Sequence, residues 1–220
     1  MTANTKPVND KERNAGRSRE AILDAAEELF AHQGYEGTSL NQVGMKAGVS
    51  RGTPGYFFGS KESLYQAMLE RCFRRVRDAI RSGRDRALAS AEPSEVVLAG
   101  AVAEYFDFIM ENPNFVRLME REALSGAEQL NRLPSANIAA EAVSAISEEL
   151  GLDTTQGVEA AHLVLSIIGL CWFPAVHAST VMPALGFNAA DGHFREQRKQ
   201  HVVDLVLHGV QGRMPVKANA

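Results

Sequence analysis

Apolar residues along this chain return every three or four positions, and no stretch keeps the alternation of two that a half-buried strand needs. Ile22, Ala25, Ala26, Leu29 and Phe30 trace one stripe and predict a helix over residues 17–33, ended by Gly34. Leu64, Met68, Cys72, Val76 and Ile80 repeat every four residues, with Tyr65, Leu69 and Phe73 alongside, and predict a helix over residues 61–82. Ala-Glu-Pro-Ser at 91–94 reads as a break. A helix then runs to about residue 111, where Asn112-Pro113 stops it, because the residue before proline is driven out of the helical region. Residues 114–124 form a short helix, and Pro134 precedes another that ends near residues 150–151. Thr154 or Thr155 starts a long apolar helix to about residue 180, a Pro-Ala-Leu-Gly loop follows, and a last helix covers residues 190–211. The pattern predicts an all-α protein. The apolar run over 163–176 has 14 residues where a membrane span needs about 20, so it reads as a buried core or interface helix.

Residues 38–65 are punctuated differently. Ser39 followed by Gln42 makes a capping box, so a short helix starts there. Val43 and Ala47 lie four apart on one face, and Gly48 stands where a helix end turns left-handed. Val49 buries itself beneath that turn, and small Ala47 lets two helices approach. Ser50 is a second cap, starting a helix at Arg51, and Ser60 caps a third start with Lys61 and Glu62 in its first turn. Two short helices around an Ala-Gly-Val corner form the layout of a helix-turn-helix, whose second helix enters a DNA groove.

The outward residues suit that task. Thr38 offers a hydroxyl beside a helix N-terminus, where phosphate is favoured. Arg51 heads the second helix, and its fork matches guanine O6 and N7. Thr53 suits a thymine methyl or a phosphate, while Tyr56 and Lys61 anchor the backbone; Ser39, Ser50 and Phe57 complete the expected surface.

The formal net charge is −4, but its distribution favours a nucleic-acid partner at one end. Residues 1–90 carry 15 Lys+Arg against 11 Asp+Glu, and residues 91–220 carry 8 against 16. Arg71, Arg74, Arg75, Arg77, Arg81, Arg84 and Arg86 follow the reader on one helix, and most read as a solvated face. Lys11, Arg13, Arg17 and Arg19 make a basic N-terminal arm that suits phosphate or the minor groove, or is simply solvated. The N-terminus lacks the apolar core of a secretory signal.

The stretch from AILDAAEELFAHQGYEGTSL through NQVGMKAGVS to SRGTPGYFFGSKESLY resembles the DNA-binding domain of the tetracycline-repressor (TetR) family of bacterial transcriptional regulators, over about residues 17–68. The resemblance implies phosphate contacts by Thr38, Tyr56 and Lys61, and base or groove contacts by Arg51, Gly52, Thr53 and Pro54. Where the family usually carries an aromatic, this chain has Gly55 after Pro54. Proline is tolerated in a first turn, and Gly55 costs about 1 kcal/mol of helix propensity.

The implied architecture is an N-terminal three-helix DNA-binding domain joined by a long helix to a C-terminal helical ligand-binding and dimerisation domain. The expected boundaries are a flexible tail over 1–16, the helix-turn-helix domain over 17–62, a connecting helix over 63–90, an effector-binding and dimerisation domain over 91–211, and a tail over 212–220. The resemblance also implies a four-helix dimer interface from the last two long helices.

In the second domain Phe106, Phe108, Met110, Phe115, Met119, Trp172, Phe173 and Met182 are candidates to line an apolar effector cavity, with Tyr105, His162 and His177 as polar groups. The effector expected from so few charges is uncharged or weakly polar and partly hydrophobic. Cys72 and Cys171 read as buried packing residues, and no spacing matches a zinc site or calls for a cofactor. No nucleophile elbow, phosphate loop or paired-carboxylate signature is present. The expected protein is a cytoplasmic, homodimeric repressor of a palindromic DNA operator, released by a small molecule. The alternative class is a helical enzyme or adaptor that shares the fold without specific DNA binding.

Overall fold

The computed structural model describes residues 10–90, 93–133, 138–149 and 157–211. They form ten α-helices and one short 3-10 turn, with no strand among the described residues. The helices are α1 (Asp10–Gly37), α2 (Leu40–Lys46), α3 (Thr53–Phe58), α4 (Lys61–Ala89), α5 (Ser94–Glu111), α6 (Pro113–Leu124), α7 (Ile138–Glu149), α8 (Gly157–Val176), α9 (Val181–Ala184) and α10 (Gly192–Gln211). The 3-10 turn Leu130–Arg132 follows α6 and has no counterpart in the sequence pattern. The tails over 1–9 and 212–220, Ala91-Glu92, Pro134, Leu150-Gly151 and the start at Thr154 or Thr155 lie outside the described residues.

Two compact units divide the chain: Met1–Arg71 with Arg117–Leu133, and Cys72–Val116 with Pro134–Ala220. The expected boundary at residue 63 falls inside the first unit, which also takes the end of α6.

In the first unit, α1 begins at Asp10, so residues 10–16 are helical where a tail was expected. Lys, Arg, Glu and Ala dominate this stretch, and a helix already nucleated extends through such residues at little cost. Gly34 (φ 76°, ψ 174°) breaks the helical path as anticipated, and one further turn follows it. The carbonyls orphaned at this break find a partner. Arg121 donates from Nε to the Ala31 carbonyl (2.9 Å) and from Nη2 to that of His32 (2.9 Å). The core here comprises Ile22, Leu23, Ala26 and Phe30 of α1, Val43 of α2, and Leu64, Tyr65, Met68 and Leu69 of α4. Phe30 and Tyr35 both meet the Tyr65 ring edge-on, at 4.8 and 5.0 Å.

Arg71 ties α4 to α1 through Asp24 (2.6 Å), Glu27 (2.9 Å) and Glu20 (3.2 Å). Burial opposes its charge, but the bonds and charges of these carboxylates prevail and hold its pKa above the ordinary value.

In the second unit, α4 continues seven residues past the expected end at Ser82. Gly83 lies inside the helix because it meets Gly100 of α5 backbone to backbone, a long-range contact invisible to local propensity. The core gathers Leu98, Val102, Phe106 and Met110 of α5, Ile167 and Cys171 of α8, and Val202, Val203 and Val206 of α10. Asn112 ends α5 and donates its side-chain amide to the Phe108 carbonyl (2.7 Å), and Pro113 opens α6. The last long helix starts at Gly192, two residues later than expected, and Pro183-Ala184 belong to α9 rather than to a loop. α8 ends at Val176, four residues short of the expectation, just after Pro174 has removed one helical donor. Its apolar window is Glu159–Val176, 18 residues of mean hydropathy 1.6, longer than the 14 first read and sufficient by length and composition to cross a membrane. Ala160, Val164, Ile167 and Cys171 of that window are buried inside the second unit, but only 28% of the window is buried, so most of the helix is left uncovered rather than enclosed as a core helix.

Candidate nucleic-acid interface

The corner between α2 and α3 is built by its own backbone. Ser39 and Gln42 form the full capping box: Gln42 N–H donates to Ser39 Oγ (3.3 Å), and Ser39 N–H donates to Gln42 Oε1 (2.8 Å). At the other end Gly48 takes φ 69°, its N–H donating to the Met45 carbonyl (3.2 Å) while Val49 N–H donates to that of Gly44 (3.0 Å). Those two bonds are the Schellman pair, with half-buried Val49 as its hydrophobic partner.

Gly44 makes a close contact at this corner. A Cβ on Gly44 would stand 3.0 Å from the Ser50 carbonyl oxygen and 3.3 Å from Pro54 Cδ. A glycine inside a predicted helix is the signal that would have found it.

α3 starts two residues later than expected. Its N-cap is Gly52, and Ser50 Oγ bonds Thr53 Oγ1 (2.6 Å) instead of capping a helix at Arg51. Pro54 sets this start. Had the helix begun at Arg51, Pro54 would have forfeited its first hydrogen bond and driven its ring against the Ser50 carbonyl. As the second residue of α3 it has no bond to lose. Arg51 therefore stands exposed in the turn that leads into α3.

The other expected residues divide between surface and interior. Tyr56 projects from α3 with 86% of its surface exposed, and its ring meets the half-buried Phe57 edge-on at 5.4 Å. Ser39 and Gly52 are exposed, Thr53 is half-buried and Pro54 is buried. Thr38 is only 2% exposed and donates its hydroxyl to the Gly34 carbonyl (2.9 Å). Lys61, first residue of α4, holds Nζ 4.3 Å from the Tyr35 ring centre. Ser60 caps α4 by accepting from Ser63 N–H (3.0 Å). Arg19 covers the Phe58 ring at 5.2 Å, placing one cation of the basic arm at the end of α3.

The expected effector residues are divided between the two units. Met119 belongs to the first unit and the others to the second. Phe115 packs on Phe108 (5.4 Å), Phe73 (5.8 Å) and Trp172 (5.8 Å), and Trp172 donates Nε1–H to the Tyr105 hydroxyl (2.5 Å). Burial pushes the Tyr105 pKa up, keeping the phenol neutral. Phe106 and Met182 are buried. His162 is exposed, and the exposed Phe173 ring lies 4.4 Å from that of His177. Both cysteines are buried, and burial pushes the Cys171 thiol up to about 12.

Residues 22–68 match the family model of bacterial regulatory proteins of the tetR family. Residues 95–206, half of the chain, match that of the tetracyclin repressor-like C-terminal domain. Over 215 residues the chain is 27% identical to the HTH-type transcriptional repressor NicS of Pseudomonas putida, covering 94% of this chain and 99% of NicS. It is equally similar to the HTH-type transcriptional regulator RutR of Escherichia coli, at 27% over 215 residues, covering 94% and 97%. In fold it is similar to a TetR-like transcriptional regulator from Rhodococcus (TM-score 0.65, 19% identity, covering 89% of this chain and 97% of that one). The fatty acid degradation regulator FadR from Bacillus halodurans gives a TM-score of 0.64 at 18% identity, covering 93% and 97%. With the helix-turn-helix corner in place, these matches identify the chain as a member of the tetR family of bacterial regulatory proteins, a DNA-binding transcriptional regulator.

Proposed function

We propose that this regulator is a homodimeric repressor of a palindromic operator, released when a small molecule binds its second domain. Operator reading is assigned to residues 17–62, with Arg51 and Thr53 meeting the groove and Tyr56 and Lys61 meeting phosphate. Effector binding and dimerisation are assigned to residues 91–211. The observation that carries the reading is the corner geometry: a capping box, a Schellman turn and a proline-set start leave Arg51 exposed just before a short helix and Tyr56 exposed on it.

The dimer is supported by apolar surface left exposed on the two C-terminal long helices. Leu165 of α8 is 65% exposed, and Phe173 of α8 and Leu205 of α10 are also exposed. A two-fold dimer pairs two readers at one helical turn's spacing and so selects palindromic sites. Release is a population shift: the effector must bind more tightly to a state in which the readers no longer match that spacing. The repressor sense is supported by the name of NicS. The relative FasR of Mycolicibacterium smegmatis, 31% identical over 128 residues, is named an activator, which is the second reading.

The test is selection of bound fragments from genomic DNA, followed by footprinting and sedimentation of the protein with the selected DNA. A protected pseudo-palindrome with two protomers bound is expected. A protected asymmetric site with one protomer would refute the dimer reading. Transcription from the selected promoter, measured with and without the protein, separates repressor from activator.

A further inference from the structure

We infer that Arg198 is an anion-recognition residue of the effector domain, and that the natural effector carries a carboxylate. This rests on the effector-released reading above and replaces the uncharged effector expected from the sequence.

Phe194, Arg198, Val202 and Val206 lie four apart on α10, and the three apolar members of this stripe are buried. Arg198 itself is half-buried, and a cation in such a row is unusual, because taking an unpaired charge partly out of water is costly. The neighbouring Lys199 shows the ordinary solution: its Nζ bonds Asp107 (2.9 Å) and Glu196 (2.8 Å). Arg198 has no such solution. Among the described residues no carboxylate pairs with it, and its Nε is buried with no hydrogen-bond partner.

Its position follows from the proline inside α8. Pro174 has no N–H to give to the Leu170 carbonyl one turn earlier, and Arg198 Nη2 donates to that oxygen instead (3.3 Å). One arm of the guanidinium is thus committed, and the rest of a rigid five-donor fork is left beside α8. Burial presses its pKa below the ordinary arginine value, with the nearby Cys171 acting the other way. A carboxylate matches the geometry of that fork and neutralises the charge. Trp172, the sole tryptophan, follows Leu170 by two residues and donates to Tyr105, so it reports on this part of the unit.

The experiment compares benzoate and octanoate with benzamide and octanamide, at millimolar concentration, on the full chain. Binding is read by Trp172 fluorescence and by thermal shift, with operator affinity measured in parallel. Either acid is expected to bind at least tenfold more tightly than its amide. Arg198→Met is expected to abolish that preference, and Arg198→Lys, which keeps the charge and a donor for Leu170, to weaken acid binding severalfold while leaving operator affinity unchanged. Amides that bind as tightly as acids, acids that bind Arg198→Met as they bind the parent, or no acid binding at all would each overturn the proposal. Loss of the dimer in Arg198→Lys would also overturn it, marking a contact between subunits. Acid binding that leaves operator affinity unchanged would support the site and refute release. Operator release by a neutral compound, with no acid bound, would refute the site and spare release.

Discussion

Gly83 of α4 and Gly100 of α5 touch backbone to backbone: a Cβ on Gly83 would stand 2.2 Å from the Gly100 carbonyl oxygen. Glycine to alanine inside a helix normally stabilises by about 0.5–1 kcal/mol. Here the sign is expected to reverse, because the helices must separate to admit a methyl group. Gly83→Ala should cost about 1–3 kcal/mol, as overpacking does, read by chemical denaturation. A gain in stability would show that α4 and α5 do not meet at this point.

The two glycines of the reader should respond in opposite ways. Nothing lies within 4 Å of a Cβ built on Gly55, so Gly55→Ala should raise stability by up to about 1 kcal/mol. Gly44→Ala must push against the Ser50 carbonyl at 3.0 Å and tilt α3. It is expected to lower operator affinity more than overall stability, checked by DNA titration beside thermal unfolding.

Within the Arg71 cluster the three carboxylates are not equivalent. The Asp24 side chain is 73% exposed and that of Glu27 only 10%. Asp24→Ala should therefore cost less than about 1 kcal/mol, as exposed pairs do. Glu27→Ala leaves a buried guanidinium group short of its inner partner and should cost about 3 kcal/mol. Equal costs in urea denaturation would contradict this ordering.

Cys171 should be chemically silent in the folded protein. With its pKa raised to about 12 by burial, it carries about a thousandfold less thiolate at pH 8 than an ordinary cysteine. Iodoacetamide should label it only in denaturant. Rapid labelling of the native protein at pH 8 would show that the α8 core opens.

Much of this molecule is legible locally. Ser39, Gln42, Gly48 and Ser60 act through their immediate neighbours, and each performs the turn or cap its residue type announces. The departures arise where a group one helical turn away or farther intervenes. Gly83 looks like a helix end until Gly100 is placed against it. Ser50 looks like a cap until the Pro54 ring is set against its carbonyl. The effector residues were the least legible: aromatic residues at helical spacing do not reveal that Phe115 spends its faces on Phe73, Phe108 and Trp172. Arg198 escaped notice because a charge on a helix reads as surface unless its stripe is followed through Phe194 and Val202.

The reader itself is tested most directly by titrating Arg51→Ala and Lys61→Ala against matched and singly mismatched operators at several salt concentrations. Arg51→Ala should lose about 1–3 kcal/mol of discrimination at one base pair per half-site. Lys61→Ala should weaken every sequence alike and reduce the salt slope by about one unit per protomer. An Arg51→Ala protein that binds the operator as tightly as the parent, with the same base preference, would contradict the assignment of this corner as the sequence reader.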